Sequence, residues 1–449
     1  MKRRKKKKQL TEKQQKRQLL LLMILLEIVV MVGVASAYLE YRARPAALEK
    51  IWIADRGGDY ITVAWKRVKN VDKYVVTYNG ETISVSGRQK QVKIDGLTPD
   101  TDYQISVRAD SEEREGFEIL EEMARTKKLP VIEGPAVLMK FKGRPVDLKQ
   151  TAEVPVTYTS QDKSVSIDGD KITFSGSGNI TVTAETAETE EYAAARKDIT
   201  VDVLDTVDAP ADGAEPHVFY HLNKDNCEFV RNVEGVKEAI TPQAFLHYEG
   251  GYLVTYIFKD VQKIIQFGDS KTVHTPETDL EHANALTIAN GKCYLVRGAG
   301  STRCDTFDPP SSNYSSFELA YAASGIAYDT ARDMFYTCSR RSLVVYDGDF
   351  NYVKRLGRVN RTDTYYVQDC GAYGGILMQG VSGADVQGVN YIDFYNMEKG
   401  TYMGSVECQL NEIESIIVDD EGYIEILSNP PEMTDCIWKT PLNMKMLCE

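Results

Sequence analysis

From residue 241 onward the chain repeats one pattern five times, an apolar strand, a Gly- or Asp-bearing turn and a second apolar strand. The copies are "QAFLHYEGGYLVTY", "NALTIANGKCYLVRG", "SGIAYDTARDMFYT", "QDCGAYGGILMQG" and "ESIIVDDEGYIEIL". Aligned on the first apolar residue after each turn they give Tyr252, Tyr294, Phe335, Ile376 and Tyr423, spaced by 42, 41, 41 and 47 residues. A period near 42 with several short strands per repeat is the signature of propeller blades. One such sheet cannot cover its own faces, and stacking around an axis buries them.

Each pair is followed by further apolar segments, such as "SLVVYDGDFNYVKRL" and "VNYIDFYNMEKGTYMGSV". In the fifth repeat "CIWKTPL" stops one strand short. The segment "HVFYHLNKDNCEFVRNV" (217–233) mimics the paired outer strands of "YIDFYNMEKGTYMGSV" and is predicted to close the ring. Five blades over 217–449 follow, with a sixth, degenerate blade as the alternative.

The other end of the chain has a different character. Ten of the 53 Lys/Arg residues and one of the 66 Asp/Glu residues fall in 1–18, so the remainder carries a formal charge of −22. A body that acidic repels nucleic acid and anionic bilayers, and no nucleic-acid partner is expected. Behind the basic stub, residues 19–39 form an apolar run whose one charge is Glu27. That length crosses the hydrocarbon core as a helix. A mid-helix carboxylate costs roughly 2.5–3.5 kcal/mol, less than about thirteen Leu, Ile and Val residues return at roughly 0.3–0.6 kcal/mol each. The positive-inside bias keeps the stub cytoplasmic and places the body outside the cell membrane. The alternative is secretion after cleavage at Ala37, since "ASA" (35–37) fits a signal-peptidase site; the length of the apolar run and of the stub favour a retained anchor.

After a stalk at 40–47, residues 48–127 alternate in short strands separated by turn residues, as a β-sandwich does. Trp65 on an early strand, Tyr74 and Tyr78 on the next, and "LTPDTDYQISVRA" (97–109) resemble a fibronectin type III domain. The resemblance implies a tyrosine corner in which Tyr103 pins the loop beginning at Leu97. Residues 128–204, with "VTYTSQDKSVSID", the turn "DGDK" (168–171) and "GSGNITVTA", resemble bacterial Ig-like domains of surface proteins. Both units read as spacers. The polar stretch 205–216, "DTVDAPADGAEP", reads as a linker into the propeller. The fold class is therefore all-β: two sandwiches, then a propeller, behind one transmembrane helix.

All eight cysteines lie beyond residue 226 and no C-x-x-C occurs, so zinc and redox motifs are not expected. Were ring closure to join the domain's ends, Cys227 and Cys448 would be the pair to test. The five histidines are too scattered in sequence to suggest a metal site. Eight to eleven residues before the aligned positions stand Gln243, Asn284, Ser324, Gln368 and Glu414, all polar and all directly before apolar strands. They are expected to ring one mouth of the axis, with His282 beside them, either as a ligand site or as a structural tie between strand ends. The cues "TPQ" (241–243), "HAN" (282–284) and "EIES" (412–415) resemble helveticin-like propellers of bacterial secreted proteins.

Amides suit recognition of sugar hydroxyls or peptide groups, and no catalytic residue, metal or cofactor is assigned. The expected function is a membrane-anchored surface protein whose propeller binds a glycan, peptide or protein ligand. The alternative is a tethered propeller glycosidase or related cell-wall enzyme, for which Glu414, with Asp369 and Glu412 nearby, supplies the carboxylates.

Overall fold

A computed structural model describes residues 11–43, 47–111, 119–259, 261–361, 364–383, 389–429 and 435–449. Most of the basic stub and part of the stalk lie outside these residues. The chain divides into two compact units.

The first unit contains the helix Glu12–Ala43 and the first sandwich. The helix presents its Leu, Ile and Val side chains outward. Within its segment Glu12–Tyr41 an 18-residue window reaches a mean hydropathy of 2.8, long and apolar enough for a transmembrane span or a signal sequence. In the sandwich, strands Ile51–Arg56, Tyr60–Trp65 and Gln91–Asp95 form one sheet, and Glu81–Ser86, Lys73–Tyr78, Asp102–Asp110 and Ile119–Arg125 the other. Alternation along Asp102–Asp110 buries Tyr103, Ile105 and Val107 while Asp102 and Gln104 face solvent, the period-two pattern of a half-buried strand. Trp65 packs on Tyr74 with ring centroids 4.8 Å apart. The Tyr103 hydroxyl accepts the Thr98 backbone N–H at 2.8 Å, which is the tyrosine corner.

The second unit comprises 133–150, 157–184 and 197–449. Its N-terminal part belongs to the second sandwich, whose sheets are Val156–Thr159, Gly178–Thr186, Ala195–Leu204 and Val137–Phe141, and Val165–Asp168, Lys171–Phe174 and Pro145–Val146. The "DGDK" turn joins Asp168 to Lys171, with Gly169 at φ 61°.

The propeller has five blades among the described residues. Blade I is Thr241–Tyr248, Gly251–Phe258, Val261–Phe267 and Lys271–His274; blade II is Ala285–Ala289, Lys292–Val296, Arg303–Asp308 and Ser312–Glu318. Blade III is Gly325–Asp329, Met334–Cys338, Leu343–Asp347 and Tyr352–Leu356; blade IV is Tyr366–Tyr373, Ile376–Ser382, Asn390–Asn396 and Thr401–Cys408. Blade V is Glu412–Val418, Tyr423–Asn429 and Cys436–Asn443, and its fourth strand is Glu228–Asn232 from the start of the propeller. Ring closure thus comes from within the segment the repeats single out. The first strand of each blade lines the axis, and each packs against the first strands of its neighbours.

One sequence expectation is corrected here, and the pairing left open for Cys227 and Cys448 is decided. Residues 205–216 are not a loose linker: Ala209–Pro210 pair with Thr401 and Tyr402 on blade IV, the Val207 N–H bonds to Met403 O, and Ala211 is buried. An apolar side of this stretch, unremarked beside its polar composition, lies on the blade edge. The cysteines form no disulfide; all eight are free and all but Cys448 fully buried. Cys227 instead packs beside Asn226, and Cys448 beside Gly374. Burial pushes both thiols up to about 11, as small apolar packers rather than nucleophiles.

The second sandwich and propeller share a core. Phe141, at the end of its strand, meets Phe219 and Phe394 with centroids 6.3 and 6.0 Å away. Lys140 is buried beside it and donates to Met446 O at 2.5 Å near the end of the helix Met444–Cys448. A cation at a helix C-terminus is favourable, although burial lowers its pKa to about 8.

Candidate functional site

The axial strands start at one end of the ring, so the polar residues before them converge there. Asn284 is the central member. Its Nδ2 donates to Ser324 O and to Gln368 O, each at 2.6 Å, reaching from blade II to III and IV. The close approach requires Gly298: a Cβ there would lie 2.9 Å from Asn284 Cβ, and its φ of 65° favours glycine. Gln368 carries the chain of bonds to blade V, its Nε2 standing 3.4 Å from both Glu412 Oε1 and Glu414 Oε2. Gln243 on blade I is buried and turns its Nε2 to its neighbour's carbonyl, Pro242 O, at 2.7 Å. Ser324 is half-buried and His282 exposed.

Three carboxyls share this end. Burial holds Glu414 well above the usual carboxylate range, with the Glu412 and Asp435 charges adding and Asn429 opposing. Burial also raises Glu412. Asp435 is pushed up to about 7 by burial, with Glu234 contributing. His282 is held below the ordinary imidazole value by desolvation, against an opposing interaction with Asn284. The mouth therefore offers carboxyls and carboxamide oxygens, with its amide N–H groups turned to backbone carbonyls and to those carboxyls. Among the described residues no group of three or more His, Cys, Asp or Glu is arranged to hold a metal ion.

Two features were not visible in the repeats. Asp369 does not join Glu412 and Glu414 at the mouth; it is fully buried one residue further along. Its Oδ1 accepts from Cys370 N at 2.7 Å and Ile326 N at 3.4 Å, and its Oδ2 from Ser415 Oγ at 2.5 Å, so one carboxyl bolts blades III, IV and V. Across the closure seam, Glu425 of blade V meets His247 Nε2 at 2.9 Å and the Tyr252 hydroxyl at 3.2 Å, both on blade I. The only sequence signal for either was a charge inside an otherwise apolar strand.

A family model for the fibronectin type III domain matches residues 47–121. A solved fibronectin type III domain of human collagen alpha-1(XX) is 22% identical, over 20% of this chain and 89% of its own, with a TM-score of 0.17. Glutaminyl cyclase of Myxococcus xanthus is 11% identical over 48% of this chain and 97% of its own, at a TM-score of 0.36. The WD40 domain of Neurospora crassa Pan2 is 7% identical over 50% and 99%, at 0.29. No curated protein matches the chain. A fibronectin type III domain behind an N-terminal apolar helix, followed by a propeller, fits a membrane-anchored extracellular protein.

Proposed function

We propose that this chain is a membrane-anchored binding protein whose propeller holds a surface ligand at the Asn284 mouth, with the sandwiches as spacers. The observation that carries this reading is the surplus of acceptors there. Glu412 and Glu414 both stand at a single amide, Gln368 Nε2, with the Asp435 charge acting on Glu414, while the two N–H groups of Asn284 already meet backbone carbonyls. Such a mouth suits a ligand rich in donors, the hydroxyls of a glycan or the amides of a peptide.

The test is a glycan and peptide array probed with the soluble body, residues 40–449. Replacing Gln368 and Glu414 by Ala should weaken binding of a hit roughly tenfold or more per residue while moving the melting temperature little. Loss of stability with binding intact would make the ring a structural tie only.

The enzymatic alternative draws on the same carboxyls. Glu412 Oε1 and Glu414 Oε2 each stand 3.4 Å from one nitrogen, so they lie no further apart than twice that distance, a bound that admits the roughly 5–5.5 Å of a retaining pair. Hydrolysis of a bound glycan that disappears in Glu414→Gln while binding persists would support that reading.

A further inference from the structure

Where the second sandwich meets blade IV, within one compact unit, three segments enclose a cavity of about 310 Å³. The turn 142–144 leaves the strand Val137–Phe141 and reverses at Gly143, whose φ is 77°. The stretch 206–208 crosses beside it, held by the Thr206 hydroxyl, which donates to Lys142 O at 3.2 Å. Blade IV supplies Asn396, Lys399, Thr401 and Met403. A concave space of this size at a junction of domains is a usual place for a small-molecule site.

Its lining has donors in surplus. Lys142, Arg144 and Lys399 face one carboxylate, Asp208. Lys399 bonds to Asp208 at 3.0 Å and Lys142 to Asp205 at 2.7 Å, so each ammonium keeps further N–H groups to give. Asp208 is taken up by Thr401 and Lys399, which hold its carboxyl below the usual carboxylate range. Arg144 makes no hydrogen bond or ion pair among the described residues, and its Nη1 is enclosed without an acceptor. Glu398, which feels the Arg144 charge, is bonded instead to Arg332 at 2.9 Å. Asn396 is only 8% exposed. One atom of its carboxamide meets the backbone N–H groups of both Glu398 and Lys399, each at 3.1 Å. That atom must be the oxygen, and the Nδ2 on the other side has no acceptor among the described residues. Enclosed donors without acceptors are costly. A guanidinium and an amide left so in one cavity call for a ligand that accepts from both, and the planar fork of arginine matches the paired oxygens of a carboxylate or phosphate. Val207 and the buried Met403 supply apolar wall beside them.

We propose that this cavity binds a small organic oxyanion, a carboxylate or phosphate group on a compact apolar body, with its oxygens on Arg144 and Asn396 Nδ2 and its body against Val207 and Met403. The site is separate from the Asn284 mouth and does not depend on a function there.

The test uses the full chain in detergent micelles with benzoate, phenyl phosphate and benzamide, the neutral isostere of benzoate, followed by ligand-observed NMR and titration calorimetry. At least one of the two anions should bind in the millimolar range or tighter, the tighter of them identifying the head group, and benzamide about tenfold more weakly than the bound anion. Arg144→Gln removes a group that has no partner in the fold, so the melting temperature should hold while the anion falls to the affinity of benzamide. Asn396→Asp keeps the oxygen that two backbone N–H groups need and turns the donor edge into a carboxylate; anion binding should drop about tenfold or more with the fold intact. Lys237→Gln, which removes an exposed charge that does not line the cavity, should leave binding unchanged. Equal binding of anion and benzamide, anion affinity unchanged in Arg144→Gln, a loss as large in Lys237→Gln, or no binding of either anion at millimolar concentration would each overturn the proposal.

Discussion

Asp369 illustrates how one buried group ties several blades together. It is fully enclosed, and burial pushes its carboxyl up to about 8 against the pull of Ser415 and three backbone N–H groups. Because that value stands above the one it has in the unfolded chain, the native state retains a proton that the unfolded chain releases. Its contribution to stability is therefore complete below about pH 4 and is lost as pH rises through about 8. Asp435, raised to about 7, acts in the same direction. Thermal melts between pH 5 and 9 should show the propeller weakening with pH, and Asp369→Asn, which keeps both acceptor and donor, should flatten that slope at little cost. Asp369→Ala should lose about 1–3 kcal/mol, since it orphans the Ser415 hydroxyl and the Cys370 N–H. A wild-type slope that Asp369→Asn leaves unchanged would remove this residue from the pH response. In sequence, Asp369 was a carboxylate near a candidate mouth; only the register of its strand turned it inward, between three blades.

At the scale of elements, the blade V seam is where the ring can open. Its outer strand, Glu228–Asn232, pairs antiparallel with Cys436–Asn443, although some two hundred residues separate them in the chain. Pairing so distant in sequence has to overcome a large loop-closure entropy, and the seam is reinforced by Glu425 with His247 and Tyr252. Fragments 128–449, 211–449 and 234–449 should therefore melt in descending order. The first step removes Phe141 and Leu204, which lie in one core with Phe394, Trp438 and Met444; the second removes the closing strand and should abolish cooperative unfolding. Differential scanning calorimetry of the three decides it, and equal melting of the two shorter fragments would mean that the ring does not need its N-terminal strand. The strand was legible because its outer-strand pattern repeats one in blade IV. The packing of 205–216 on that blade was not, since two-residue pairing leaves no periodicity to read.

For the whole molecule, the basic stub and the apolar helix bear on orientation, which the positive-inside bias sets. Protease applied to intact cells should remove the body and spare the stub. Recovery of a body beginning at Tyr38 in the medium would mean cleavage after Ala37 instead. What the sequence determined by itself was everything that local pattern encodes: an apolar run of membrane length, a sandwich with its tyrosine corner, and a 42-residue period that requires blades stacked about an axis, since no blade buries both of its faces alone. The period also brought Asn284, Gln368 and Glu414 to one end, because equivalent positions in equivalent strands must meet around a ring. The tertiary structure decided what each group meets across the axis: that Asn284 spends its N–H groups on two backbone carbonyls and that Asp369 is a bolt. Those outcomes depend on the angle and register at which five separate sheets face one another, and residues in different repeats carry no local signal of either.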